Sequence, residues 1–127
     1  RTLSDELANY EKMEFTIQNF SKARIEAVER KINGMFKLVS FKMFEKQING
    51  GEIETCEAMV SGVPYSSLNH AMKINAGLDI INAICKFEGI TAPIFTDNAE
   101  SINELLPTSS QIIRLVVSED DQLTIKK

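Results

Sequence analysis

One histidine, His70, and two cysteines, Cys56 and Cys85, are all the imidazole and thiol in these 127 residues. No zinc set can be assembled from that stock, and the cysteines form no C-x-x-C pair. Both lie in apolar surroundings and are expected to be buried and reduced, as in a cytoplasmic protein. No apolar run approaches membrane-spanning length, and no signal peptide is visible at the start. Positive charge is not in excess either: 14 basic against 18 acidic residues give a net charge of −4. Gripping nucleic acid through overall charge is therefore disfavoured, which leaves a basic patch or a partner segment for that role. No G-x-x-x-x-G-K-[ST] occurs, so the usual backbone cradle for phosphates is missing from these residues. A stand-alone hydrolase finds no nucleophile–base pair and no glycine-rich elbow. Internal repeats, low-complexity tracts and obvious linkers are absent as well.

What is present reads as one ordinary globular domain, 43% apolar and 25% charged, long enough to bury a core. The sequence begins at Arg1 rather than Met, as an excised piece of a longer chain would. Residues 4 to about 36 are expected to form a long helix, opened by Ser4 with Asp5 and Glu6 in its first turn. Leu3, Tyr10 and Ile17 repeat every seven residues, as do Met13, Phe20 and Ala27, although Glu6 and Arg24 interrupt the seam. From Ile25 the stripe shifts to Ile25, Val28, Ile32 and Met35. Two readings fit: an amphipathic helix lying on a sheet, or the returning arm of a coiled coil entering its head.

A hairpin follows. "LVSFKMFEKQ" (38–47) and "EIETCEAMV" (52–60) both alternate, and "NGG" (49–51) favours a tight primed turn. A loop to Pro64 then leads into a helix running to about Phe87, with Ser66 or Ser67 expected as its cap and Gly89 as its stop. Leu68, Met72, Leu78, Ile81 and Cys85 would form its apolar face. Gly77 in its middle costs roughly 1 kcal/mol against alanine, so a close neighbour is expected there. A strand at 92–96, a short helix around 101–106, a break at Pro107, a buried strand at 111–118 and a last strand at 122–127 complete the chain. The expected fold class is α/β: a long N-terminal arm helix and a β-hairpin, then a mainly parallel sheet with flanking helices.

In such sheets ligands gather at the carboxyl ends of strands. Two of those ends carry acids here, Asp97 after "PIFT" and Glu119–Asp120 after "LVVS". A carboxylate so placed suits a magnesium–phosphate site, because the hard cation takes oxygen ligands and keeps its waters. It equally suits a plain helix cap or turn.

The order of parts resembles the C-terminal lobe of an ABC-type ATPase head, of the kind found in SMC, RecN and SbcC-like proteins of DNA repair and chromosome maintenance. The likeness covers most of the chain, as a single domain with 1–36 the arm helix and 37–127 the lobe. "PIFTDN" (93–98) resembles a Walker B strand, which implies Asp97 as the magnesium-associated carboxylate. The family's water-orienting glutamate would fall at Asn98, so the resemblance leaves that role to Asn98 or to Glu100. The acidic end of the following D-loop would fall near Glu104. "SSLN" (66–69) is similar to the signature motif, which implies that Ser66, Ser67 and Asn69 face the γ-phosphate of a nucleotide on the opposite head. A second register would use Ser61 and Gly62. "VVSEDD" (116–121) resembles the switch strand, with Glu119 where the family places histidine; an anionic Glu cannot donate to a phosphate as His can. His70, on the signature helix, reads as a packed side chain.

The resemblance further implies ATP and Mg2+ as cofactors, used only with an N-terminal lobe that carries the P-loop. It implies a homodimer of heads, DNA reached through the full-length protein, a cytoplasmic location and no membrane. The chain by itself would supply half of a composite site and should not hydrolyse ATP. The competing expectation is an α/β interaction module without nucleotide chemistry, dimerising through its N-terminal helix.

Overall fold

The computed structural model describes residues 2–48 and 51–126, a mixed α/β chain. Helix α1 (Thr2–Asn33) leads into strands β1 (Val39–Lys46), β2 (Glu52–Val60) and β3 (Val63–Pro64), and a 3-10 turn at Tyr65–Ser67 precedes helix α2 (His70–Glu88). Strand β4 (Ile94–Thr96), a second 3-10 turn (Ala99–Ser101) and strand β5 (Ile112–Arg114) follow.

Strands β1, β2 and β3 form an antiparallel sheet in that order, and β4 and β5 a separate parallel pair. The expected hairpin is therefore present, but among the described residues the parallel sheet has two strands. The expected turn at 49–51 lies mostly outside the described residues. The β1–β2 register slips between Lys42 and Phe44, where Thr55 and Cys56 together oppose Met43. This bulge ends the simple alternation that residues 38–47 suggest. It also bears on Cys56, which is exposed rather than buried; Cys85 is half-buried. Between β2 and β3, Ser61 (φ 51°) and Gly62 (φ 80°) make a two-residue turn with both φ positive. Right-handed strand twist favours that turn type, and glycine adopts such a φ without strain.

α1 stops three residues short of the expected end at 36, and the reason is local. The Asn33 carboxamide turns onto β1, donating from Nδ2 to the Phe41 carbonyl (3.1 Å) and accepting from the Phe41 amide at Oδ1 (2.7 Å). It imitates a neighbouring strand and occupies part of the β1 edge. Along α1 no residue is buried. Leu3 (81% exposed) and Tyr10 (68%) stand in solvent, so the first half of this helix does not lie on a sheet. From Ile17 on it nears the hairpin, sharing a cleft with Lys46, Gln47 and Glu52, and Ile25 and Ile32 are half-buried.

α2 is the centre of the body. One face carries Ala76, which joins Val39 and Val60 in a buried cluster lined by Phe36, Phe41, Leu68, Met72 and Ile80. Leu78 and Ala83 are also buried, while Ile81 is exposed. Gly89 ends the helix in the left-handed region (φ 68°), as its place in the sequence predicts. Gly77 departs from expectation, since a Cβ built on it would meet nothing within 4 Å. The chain after Ile102 departs too. Residues 102–106 are irregular rather than helical, and the Asn75 side chain on α2 holds them, donating to the Glu104 carbonyl (3.0 Å) and accepting from the Leu106 amide (2.7 Å). The second bond takes the amide with which Leu106 would close a helical turn, and Pro107 has no amide to continue one. Residues 115–118 and 122–126 are not strands; Val117, Leu123 and Ile125 are exposed, and among the described residues no strand pairs with them.

Candidate functional site at the carboxyl end of strand β4

Ile94 and Thr96 bury one face of β4, and Phe95 on the other is 66% exposed. β4 runs parallel to β5, and the pairing continues past the strand ends through Leu115 N to Thr96 O (2.8 Å) and Ala99 N to Leu115 O (3.0 Å). The chain turns sharply after Thr96. Asp97 Oδ1 accepts from the Asn98 amide (2.9 Å), and Asn98 sits in the left-handed region at φ 52°, which asparagine tolerates better than most residues. Arg114 on β5 fixes the turn from below by donating to the Ala99 carbonyl (2.8 Å).

Across a cleft stands the first turn of α2. Asn69 is its cap, its Oδ1 accepting from the Met72 amide at 2.8 Å. This corrects the expectation that Ser66 or Ser67 caps the helix. Those serines lie in the preceding 3-10 turn, which has no side-chain cap bond, and Asn69 wins because its extended backbone (ψ 166°) places the carboxamide over the free amides. Ser61 and Gly62 belong to the β2–β3 turn and stand at no helix N-terminus. His70, next after the cap, lies 3.2 Å by Nε2 from Asn98 Nδ2. With Ile74, Gly77, Ile81, Ile94, Phe95 and Asp97 it lines a cleft of about 250 Å³. That is smaller than the roughly 300–1,000 Å³ of sites that enclose a small ligand, so this cleft alone does not surround a nucleotide.

The structure thus brings together Asp97, Asn98, His70 and, through the helix start, Asn69. Glu100 is exposed in the second 3-10 turn, and Glu119 is exposed in the irregular segment beyond β5. No hydrogen bond or ion pair joins either of them to Asp97 among the described residues. The Glu104 carbonyl is held elsewhere, by Asn75 of α2. Nor, among the described residues, do three His, Cys, Asp or Glu side chains converge as a metal cage. Asp97 fits a more limited role, as one exposed carboxylate at a parallel strand's end, able to give a single oxygen to a hydrated Mg2+.

Sequence reasoning passed over a second set of residues on α2. Asn75, Asp79 and Asn82 recur at spacings of four and three, so they share one helix face, and each binds the backbone of another segment. Asp79, 3% exposed, accepts from the amides of Lys37, Leu38 and Val39, at distances down to 2.6 Å. Asn82 donates to the Pro107 carbonyl (3.0 Å). The available signal was a polar row in an otherwise apolar helix; nothing local in the sequence says what the row binds.

Among the described residues no helix is long and apolar enough to cross a membrane. Comparison of the chain with protein families, with curated proteins and with solved structures finds no match.

Proposed function

We propose that this chain is the C-terminal lobe of an ABC-type ATPase head of the SMC, RecN and SbcC-like kind, acting in DNA repair or maintenance. The observation that carries the reading is the meeting of two elements, a helix N-terminus and an acid-bearing turn at the carboxyl end of a parallel strand, through His70 and Asn98. In this reading Asp97 gives an oxygen to Mg2+ and Asn98 holds the attacking water, with Glu100 close in sequence. The amide end of α2, capped by Asn69, faces the γ-phosphate of a nucleotide bound on a second head, where a helix N-terminus favours negative charge. Ser66 and Ser67 lie in the loop that delivers that end. Glu119 follows β5 as the switch-strand residue. A separate lobe supplies the P-loop. Bound ATP–Mg2+ provides the reactive phosphoryl group and its neutralising charge, and this chain's residues position and orient. The exposed apolar rows of α1 fit an arm that is covered by another helix.

Asn69→Asp in the full-length polypeptide separates the two roles of the cap. Aspartate caps a helix as well as asparagine does, yet it sets a negative charge before the phosphate. Normal folding with loss of ATP-dependent dimerisation, measured by light scattering, supports the reading; unchanged dimerisation contradicts it.

The same exposure of Leu3, Tyr10, Met13, Ile17 and Phe20 favours a second reading, an interaction module without nucleotide chemistry that dimerises through α1. Removing residues 1–20 would then abolish association, and nucleotide would alter nothing in any variant.

A further inference from the structure

The bonds around Asn98 determine which atoms carry hydrogen. Ser101 Oγ lies 2.8 Å from the Asn98 carbonyl, and a carbonyl only accepts, so the single hydroxyl hydrogen is used there. The contact between Ser101 Oγ and the Asn98 side chain (3.2 Å) must then be accepted by the hydroxyl, which makes the side-chain atom the amide nitrogen. That NH2 group has one hydrogen left, and it faces His70 Nε2 at 3.2 Å. For that hydrogen to be used Nε2 accepts it, which calls for the tautomer with its hydrogen on Nδ1. With both amide hydrogens engaged and the backbone held at φ 52°, the Asn98 carboxamide is fixed in one orientation. Its Oδ1 accepts from no protein donor among the described residues.

We propose that His70 is a positioning residue: as the Nδ1–H tautomer it holds the Asn98 carboxamide so that Oδ1 is kept as a water acceptor beside the Asp97 turn. The functional use of that oxygen, holding the attacking water, rests on the ATPase reading above; the orientation itself does not. An asparagine oxygen accepts from water but takes no proton, so it orients the nucleophile and leaves the proton to the phosphate or to solvent. His70 thereby ties the helix end that faces one nucleotide to the turn that serves the other. The sole imidazole of the chain then acts at the site through Asn98 instead of serving as the packed side chain its sequence context suggests.

The test has two independent arms. Long-range 1H–15N correlation spectra of the chain near neutral pH report the His70 tautomer directly. The expected result is an unprotonated Nε2 and a protonated Nδ1, with the Asn98 side-chain NH2 signals displaced in His70→Ala and returned in His70→Gln, whose Oε1 can accept the same hydrogen. An Nε2–H tautomer, or Asn98 signals indifferent to His70→Ala, overturns the proposal. In the full-length polypeptide His70→Ala should lower kcat for ATP on the order of tenfold with KM little changed, as misplacing a positioned water does, and His70→Gln should recover most of it. Unchanged kcat in His70→Ala, in an otherwise active enzyme, overturns the catalytic use of the orientation. A wild-type polypeptide without ATP turnover would end the ATPase reading, while the spectra would still decide whether His70 orients Asn98.

Discussion

Asp79→Ala should be the most damaging single truncation in the body, and its cost can be worked from the geometry. Three backbone amides converge on this carboxylate: Lys37 bonds both oxygens (3.1 and 3.0 Å), and Leu38 (2.6 Å) and Val39 (2.9 Å) bond Oδ2. Alanine leaves all three without an acceptor. Lys37 is exposed, so its amide regains water, but Leu38 is half-buried and Val39 buried. An abandoned buried donor costs about 1–3 kcal/mol, so two of them put the loss at about 2–6 kcal/mol, with about 4 as the central expectation. That is a large part of a typical domain's stability. Asparagine should be much milder. Because Oδ2 accepts all three amides and Oδ1 only the Lys37 amide, a carboxamide placing its oxygen at Oδ2 keeps three bonds and sets its NH2 against the exposed Lys37 amide alone. The expected loss is about 1–2 kcal/mol, for one donor–donor contact and weaker, uncharged bonds. Urea unfolding monitored by circular dichroism measures both variants. A loss below about 1 kcal/mol for alanine, or equal losses for the two, would refute the argument that these amides determine the cost.

Other substitutions test other joints. Asn69→Ala should cost about 1 kcal/mol, while Ser66→Ala and Ser67→Ala should stay within about 0.5 kcal/mol, since only Asn69 caps α2; thermal unfolding of the three separates them. Asn33→Ala removes both bonds to the β1 edge and should cost about 1–3 kcal/mol, with faster amide exchange at Phe41. Gly77→Ala should raise stability by roughly 1 kcal/mol, as its Cβ would meet nothing within 4 Å, whereas Gly89→Ala should lower it by about 1 kcal/mol because φ is 68°.

Much of the scaffold was legible from local pattern. Residues 38–47 and 52–60 alternate, and the hairpin follows; Gly89 is a natural helix stop, and α2 ends there. The misreadings share a cause, namely side chains that act on distant backbone. Asn75 holds the backbone of Glu104 and Leu106 across 29 and 31 positions of sequence, and periodicity carries no trace of that. Asn33 ends α1 early through Phe41, eight residues on. At the candidate site, Asp97 could be placed from the strand before it, but the cap could not be chosen among Ser66, Ser67 and Asn69. All three are good capping residue types, and the 3-10 turn at Tyr65–Ser67 that moves the helix start to His70 is too short to read. The approach of His70 to Asn98 depends on how α2 packs against β4, which only the folded chain shows. Val117, Leu123 and Ile125 look like strand residues because they are apolar and β-branched or alternate with polar residues. They stay exposed because strand character needs a partner strand as much as a pattern.

ATP turnover by the full-length polypeptide, with and without Asp97→Asn, decides whether Asp97 serves a nucleotide. Hydrolysis should be magnesium-dependent and fall roughly a hundredfold or more in the variant, with folding intact because among the described residues the Asp97 carboxylate bonds only the neighbouring Asn98 amide. Turnover unchanged by Asp97→Asn, or a full-length polypeptide with no P-loop, would contradict that role.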